Sequence, residues 1–426
     1  MKMVKWERKP LGAVANLCLG KMLDQNKNRG EPLPYLANVN VRWGEFALDD
    51  LRTMRFEPKE MDRYGLRFGD IVMCEGGEPG RCAIWKDQSS GMMIQKALHR
   101  IRPKEFLDCR FLFYSFLRIG QLKGFDQYVT GATIKHLPSE KLAKVEIEIP
   151  PLPVQQSIAG ILSAYDELIE NNQRRIRILE DLARSLYREW FVHFRYPGHE
   201  SVPLVESPLG QIPQGWEVTT LRAVTTKIGS GATPRGGKDT YKSEGIHLIR
   251  SMNIYDYEFE FDGLAFIDEQ QAAELDNVTV EENDILLNIT GASVARCALV
   301  PSYLLPARVN QHVAIVRADP AKASPFYILD AINSDQRKQQ LLIFAQGGAT
   351  REALTKDTVS NFEIVLPPRS LMKRYDKIAR GIHMKREVLQ RQIQNLRRTR
   401  DLLLPRLLSG QIDVAATEKL FEEAIA

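Results

Sequence analysis

The feature that most constrains this chain is that it repeats itself. Trp6-Glu7, Leu11 and Val14 return as Trp216-Glu217, Leu221 and Val224. In the same order, Gly69-Asp70-Ile71-Val72 is matched by Asn283-Asp284-Ile285-Leu286, and Arg81-Cys82-Ala83-Ile84 by Arg296-Cys297-Ala298-Leu299. Gly131-Ala132-Thr133 is matched by Gly348-Ala349-Thr350, and Ile149-Pro150-Pro151 by Leu366-Pro367-Pro368. The offset between partners drifts only from 210 to 217 residues, so the matches form one ordered series. The chain is a tandem duplication, and its fold has to be built from two related halves.

Each half has two parts. The first is rich in short strand-like runs, such as Asp284-Ile-Leu-Leu-Asn-Ile-Thr and His312-Val-Ala-Ile-Val, broken by Gly, Pro and Asn. It ends at the Pro-Pro pair, where the backbone is held extended. The second part is a long helical stretch, expected to run without an internal proline over residues 153–193 and 370–409. Apolar residues fall at Ile158, Ile161, Tyr165, Leu168, Ile176, Leu179, Leu182, Leu186 and Trp190 in the first copy. In the second they fall at Tyr375, Ile378, Ile382, Leu389, Ile393, Leu396, Leu403 and Leu407. Steps of three and four are the coiled-coil signature. Each stripe is narrow and its helix otherwise polar, so the economical arrangement packs the two helices on each other. Asn172 lies on the first stripe, where polar residues usually set register.

The fold class expected is α+β: two pseudo-symmetric repeats, each a β-rich domain followed by a long helix, with the two helices packed as an antiparallel coiled coil. The expected boundaries are 1–150 for the first β-rich domain and 151–195 for the first helical region. The second β-rich domain occupies 196–367, opening with a Pro- and Gly-rich linker at 196–214. The second helical region is 368–412, followed by a loosely attached tail at 413–426.

Composition narrows the function classes. A length of 426 residues exceeds one ordinary core, and 44% hydrophobic with 26% charged residues is the balance of a folded protein. No apolar run approaches the roughly 20 residues needed to cross a bilayer. The opening Met1-Lys-Met-Val-Lys-Trp lacks the apolar stretch of a secretory signal. Cys18, Cys74, Cys82, Cys109 and Cys297 form no C-x-x-C pair and are odd in number, which argues against a disulfide framework and a thiolate zinc site. A cytoplasmic location, with no membrane partner, is the consistent expectation. The net charge of +4 is too balanced to announce a nucleic-acid binder by itself. If DNA is the partner, the positive potential must be local or supplied in part by another protein.

Four stretches resemble those of type I restriction–modification specificity subunits, along nearly the whole chain. Pro150-Pro-Leu-Pro-Val-Gln-Gln-Ser-Ile-Ala-Gly-Ile-Leu is similar to that family's entry into its first long helix. Leu182-Ala-Arg-Ser-Leu-Tyr-Arg-Glu-Trp-Phe-Val is similar to that helix's end. Glu206-Ser-Pro-Leu-Gly-Gln-Ile-Pro-Gln-Gly-Trp resembles the start of the second target-recognition domain, and Leu403-Leu-Pro-Arg-Leu-Leu-Ser-Gly-Gln-Ile-Asp-Val the C-terminal ending. Two departures stand out. The second helix opens Arg369-Ser-Leu-Met-Lys-Arg-Tyr where the family often keeps a Gln and an Ile, and the first half lacks the Gly-x-Ile-Pro-x-Gly that precedes Trp216. The resemblance implies a non-catalytic subunit that reads a bipartite site in double-stranded DNA, one half-site per domain. It also implies partners: methyltransferase subunits, two of them, that bring the methyl donor and modify adenine, and restriction–translocase subunits for cleavage.

A search for chemistry agrees with that reading. An adenine methyltransferase needs an Asp or Asn before Pro-Pro and an aromatic, yet the Pro-Pro pairs here follow Ile149 and Leu366. The closest approach to a phosphate loop, Gly231 to Lys238, is one residue too long, and Asp239 replaces the hydroxyl that binds magnesium. There is no H-E-x-x-H, and the seven histidines are dispersed. Asp256, Glu258, Glu260 and Asp262 alternate along a strand-like run, where a solvated face outweighs a metal-dependent nuclease site. No cofactor and no metal is expected.

Candidate DNA contacts fall in paired loops. Gly131-Ala-Thr133-Ile-Lys135 and Gly348-Ala-Thr350-Arg351 set a small-residue turn beside a hydroxyl and a cation, suited to phosphate. A helix start capped by threonine is the competing reading. Asn288-Ile-Thr290-Gly-Ala-Ser293 with Arg296 matches Glu75-Gly-Gly-Glu-Pro-Gly-Arg81; Asn and Arg suit base edges, while an ordinary hairpin turn competes. Gly229 to Lys238, with Arg235, is a basic polar loop, either phosphate-contacting or simply surface. Arg250 and Asn253 align near Ala37 and Asn40, a difference of the kind two half-sites require. Arg174, Arg175, Arg177, Arg397, Arg398 and Arg400 suit a solvated helix face better than a track along DNA. Two rivals remain: an enzyme without recognisable motifs, which would bind a methyl donor unaided, and a protein-only scaffold, whose complexes would select no DNA sequence.

Overall fold

A computed structural model describes residues 6–24, 28–131, 133, 135–347 and 352–414. The chain divides into two compact units, one of residues Met1–Asn171 and Ile393–Ala426, the other of Asn172–Gln392. The division falls inside the two long helices rather than at the linker 196–214. Of the tail at 413–426, all but the first two residues lie outside the described part.

In the first unit, strand Glu7–Pro10 pairs antiparallel with Glu146–Ile149, so the start and the end of the β-rich segment close on each other. A four-stranded sheet runs in the order Ala15–Leu19, Leu98–Pro103, Ile71–Cys74, Cys82–Ile84. A second sheet orders Arg52–Phe56, Glu31–Leu36 and Met93–Ile94, the last pair parallel. Helix Cys109–Gln121 is capped by Asp108, whose carboxylate accepts from the Arg110 and Phe111 amides. It buries Phe111, Leu112 and Phe116 against Ile71, Ile101 and Ile147.

The second unit has the same order of parts. Glu217–Thr220 pairs with Glu363–Leu366, and a four-stranded sheet runs Thr225–Ser230, Val313–Ala318, Ile285–Asn288, Cys297–Leu299. Its other sheet orders Ala265–Ile267, Ile246–Ile249, Ala307–Val309 and Thr279–Val280, with Ile246–Ile249 parallel to Ala307–Val309. Helix Pro325–Asn333 starts from a Ser324 cap.

The sequence matches acquire causes. Gly69 and Asn283 both adopt left-handed backbone, φ 86° and 66°, the region that Gly and Asn tolerate best. The turn each makes buries the next residue, Asp70 or Asp284. Asp70 accepts two bonds from Arg102, both 2.7 Å, and Asp284 two from Arg317, both 2.8 Å. Each carboxylate also accepts the backbone N–H three residues upstream, from Arg67 and Glu281. A buried carboxylate persists only when paired and hydrogen-bonded in this way.

The long helices are Leu152–Tyr187, extended by a π-helical turn over Arg188–Val192, and Arg369–Leu408. Pro405 lies inside the second, correcting the expectation of a proline-free stretch; it lacks the N–H that would bond to the carbonyl four residues back, but in the last turn little helix lies beyond it to be displaced. In the first unit Ile158, Leu162, Leu404 and Leu407 share one core. In the second unit Tyr187, Phe191, Leu371 and Tyr375 do. The buried stripe differs from the sequence reading at four positions. Ile161, Leu168, Leu182 and Ile378 are exposed by 38–52%, while Leu162, Ile169, Ala183 and Ala379 face inward. Each error is one residue, about 100° around the helix. Counting Ile158, Leu162, Tyr165, Ile169, Asn172, Ile176, Leu179, Ala183, Leu186 and Trp190 alternates four and three without a break, which the first reading did not. Polar contacts join the helices as well: Asp166 to Arg400 at 2.5 Å in the first unit, Asn172 to Gln392 at 3.3 Å and Glu180 to Arg386 at 2.6 Å in the second.

Candidate nucleic-acid interface

The candidate loops, far apart in sequence, meet within each unit. In the first, Thr130 and His136 exchange backbone hydrogen bonds, both 2.8 Å, and close the loop that carries Thr133 and Lys135. The Leu137 amide then bonds to Glu75 O at 2.7 Å, which sets this loop beside the turn ending at Arg81. In the second, the Gly291 amide bonds to Glu352 O at 3.0 Å and the Leu354 amide to Ile289 O at 2.8 Å. The Asn288-to-Arg296 turn therefore sits beside the segment that follows Arg351. Thr350 and Arg351 themselves lie outside the described residues.

Not every candidate is free to touch a ligand. Asn288 is fully buried and donates to Ser251 O at 2.9 Å. Asn253 is fully buried too, accepting from the Arg250 amide at 3.0 Å and donating to Glu260 O at 2.9 Å. Asn40 makes the same pair of bonds in the first unit, with Ala37 N and Ala47 O. These asparagines brace the turns, and burial removes them from the surface. The Arg250 guanidinium bonds to Gly263 O and lies over Tyr241. Arg81 spends its guanidinium on Glu78 at 2.8 Å and Asn38 O at 3.0 Å.

Thr133, Lys135, Arg235 and Lys238 are exposed, and Ser293, Thr290 and Arg296 are half-buried. The last three line a shallow depression together with Ser251, Met252, Tyr255 and His312. Thr290 Oγ1 and His312 Nδ1 are 2.7 Å apart. The Arg296 guanidinium lies 4.4 Å over the Tyr255 ring. Sequence reasoning passed over Met252, Tyr255 and His312. The available signal was a methionine and a tyrosine beside a polar turn, and it is weak because such residues more often pack in a core. Arg235 and Lys238 occupy a neighbouring turn anchored at Gly231, where a Cβ would stand 2.0 Å from Val309 O. Among the described residues, no group of three or more His, Cys, Asp and Glu side chains is placed to hold a metal ion. No described helix is long and apolar enough to cross a membrane.

Residues 3–181 match the model of the type I restriction modification DNA specificity domain. The chain is 26% identical over 400 residues to the type I restriction enzyme MjaIX specificity subunit of Methanocaldococcus jannaschii, covering 90% of this chain and 88% of that protein. It is 23% identical over 340 residues to the HindI specificity subunit of Haemophilus influenzae, covering 66% of this chain and 72% of that one. Over most of its length the chain is similar to type I restriction enzyme specificity subunits. The crystal structure of the S subunit from M. genitalium has the same fold, with a TM-score of 0.62 at 16% identity, covering 96% of this chain and 97% of that one.

Proposed function

We propose that this chain is the non-catalytic specificity subunit of a type I restriction–modification enzyme and reads a bipartite site in double-stranded DNA, one half-site with each β-rich domain, 1–150 and 196–367. The observation that carries the proposal is the recurrence of one frame with two different rims. Both units repeat the strand order, the buried Asp–Arg pair and the asparagine-braced turn. Yet Arg81 is tied to Glu78 while its counterpart Arg296 rests on Tyr255. A conserved frame with divergent rims is what two different half-sites demand. Phosphate contacts from Thr133, Lys135, Thr350, Arg351, Arg235 and Lys238 position the domains, and base-edge contacts from the turns select sequence.

The paired helices act as an antiparallel coiled coil relating the two pseudo-symmetric halves. Their outward faces carry Ile161 and Leu168 in the first unit and Ile178, Leu182, Met384 and Val388 in the second, all exposed. Apolar rows of this kind on otherwise polar helices mark protein contact. They are assigned to two methyltransferase subunits, with restriction–translocase subunits completing the cytoplasmic complex. The test is to sequence methylated adenines in cells with and without this chain beside its methyltransferase. Methylation confined to a two-part motif, and lost without the chain, supports the proposal; methylation without sequence preference overturns it.

A further inference from the structure

We infer that Arg296 reads a guanine in the half-site of the second unit, with Tyr255 as the positioning residue that holds its guanidinium ready. The inference rests on the bipartite reading proposed above and names the contact within it. Arginine guanidinia in the two β-rich domains mostly have a structural duty. Arg102 and Arg317 hold the buried carboxylates, Arg308 bonds to Ala272 O, Arg250 to Gly263 O, and Arg81 to Glu78 and Asn38. Arg296 differs. Among the described residues its guanidinium has no hydrogen bond and no ion pair, and its one defined neighbour is the Tyr255 ring at 4.4 Å. Stacking on an aromatic face fixes the plane of the guanidinium while leaving its edge donors unspent.

Arg296 itself lines the depression, together with Ser251, Met252, Thr290 and His312. A planar fork with parallel N–H donors matches the O6 and N7 acceptors of guanine in the major groove, the commonest specific arginine contact. The depression also holds the smaller polar groups that a base pair's neighbours require. Thr290 and His312 are paired to each other, and Met252 is 49% exposed, an apolar surface suited to a thymine methyl. The frame is stiff: Ala295 N bonds to Asn288 O, Asn288 N to Arg296 O, and Asn288 is locked to Ser251. Preorganisation of a charged fork on a rigid turn distinguishes a reading residue from a loose surface cation, which serves phosphate instead.

The experiment compares methylated motifs produced by the intact complex carrying wild-type chain, Arg296→Ala, Arg296→Lys and Tyr255→Leu. The inference predicts that one G·C pair in one half-site becomes degenerate in Arg296→Ala and Arg296→Lys, with a tenfold or greater loss of discrimination there. Tyr255→Leu should weaken discrimination at the same pair. Thermal unfolding close to wild type shows that the variants are folded. If Arg296→Lys keeps the motif intact, or if Arg296→Ala lowers methylation evenly across sites, Arg296 serves phosphate or nothing and the inference is overturned. The other half-site reports separately: a wild-type complex without any two-part motif refutes the bipartite reading itself.

Discussion

Asn172 donates its side-chain amide to Gln392 Oε1 at 3.3 Å, between the first and second long helices. Asn172 is buried, whereas Gln392 is exposed. The bond occupies a position on the stripe between Ile169, which is buried, and Ile176, which is half-buried, so it favours one register at some cost in stability. Asn172→Leu should therefore raise the denaturation midpoint, by about 1 kcal/mol in stability, because Gln392 keeps access to water. Urea unfolding checks this, and a destabilised variant would show the amide pair to be a net stabiliser.

A second prediction concerns the Asp284–Arg317 pair, in which Asp284 is fully buried. Asp284→Ala removes both bonds to Arg317 and the acceptor for the Glu281 amide. It should cost about 3 kcal/mol or more, since half of a buried, hydrogen-bonded pair is left behind. Asp70→Ala should cost a similar amount in the first unit, where the same contacts recur. A loss below about 0.5 kcal/mol in either variant, within the range of surface substitutions, would contradict the assignment.

The duplication was legible because part of it is written in residues with steric or electrostatic jobs, a left-handed Gly or Asn followed by a buried Asp; the arginines that pair with those carboxylates, Arg102 and Arg317, were not among the matches. The helices were legible in extent but not wholly in phase. Leu168 beside Ile169 and Leu182 beside Ala183 gave two overlapping stripes, and only the facing helix decides between them. Asn253 and Asn288 could not be sorted from surface residues, because a turn-bracing asparagine and a DNA-contacting one look alike in sequence. The neighbourhood of Arg296 and Tyr255 was equally hidden, since 40 residues of chain separate them and the sheet brings them together.

Asp330 supplies a pH prediction. It is fully buried, and burial raises its carboxyl pKa to about 7, more than the hydroxyls of Tyr375 and Tyr257 pull it down. In the unfolded chain it ionises near pH 4. The folded protein therefore holds the extra proton between those values, and stability contributed by the neutral form is fully present below about pH 4. It declines as pH rises toward about 7 and is gone above it. Asp330→Asn should abolish that decline, so that its stability relative to wild type improves from pH 5 to pH 8. Denaturant titrations at the two pH values check it; parallel behaviour of the two proteins would refute it.

Leu168 and Leu182 lie on the outward faces of the first long helix, 52% and 51% exposed. If these faces hold partner subunits, Leu168→Glu and Leu182→Glu should leave the stability of the chain within about 0.5 kcal/mol of wild type. Assembly with the methyltransferase should nevertheless fall at least tenfold, since a charge would be placed in an apolar contact. Co-purification and light scattering read the result, and undiminished assembly would move the docking surface elsewhere.

The central claim is that each half of the chain reads its own half-site. It is tested most directly by replacing residues 215–365 with the corresponding segment of a related specificity subunit and sequencing the methylated motif. The account predicts that one half of the motif changes to that of the relative, while the other half stays as in wild type. A change in both halves, or in neither, would contradict it.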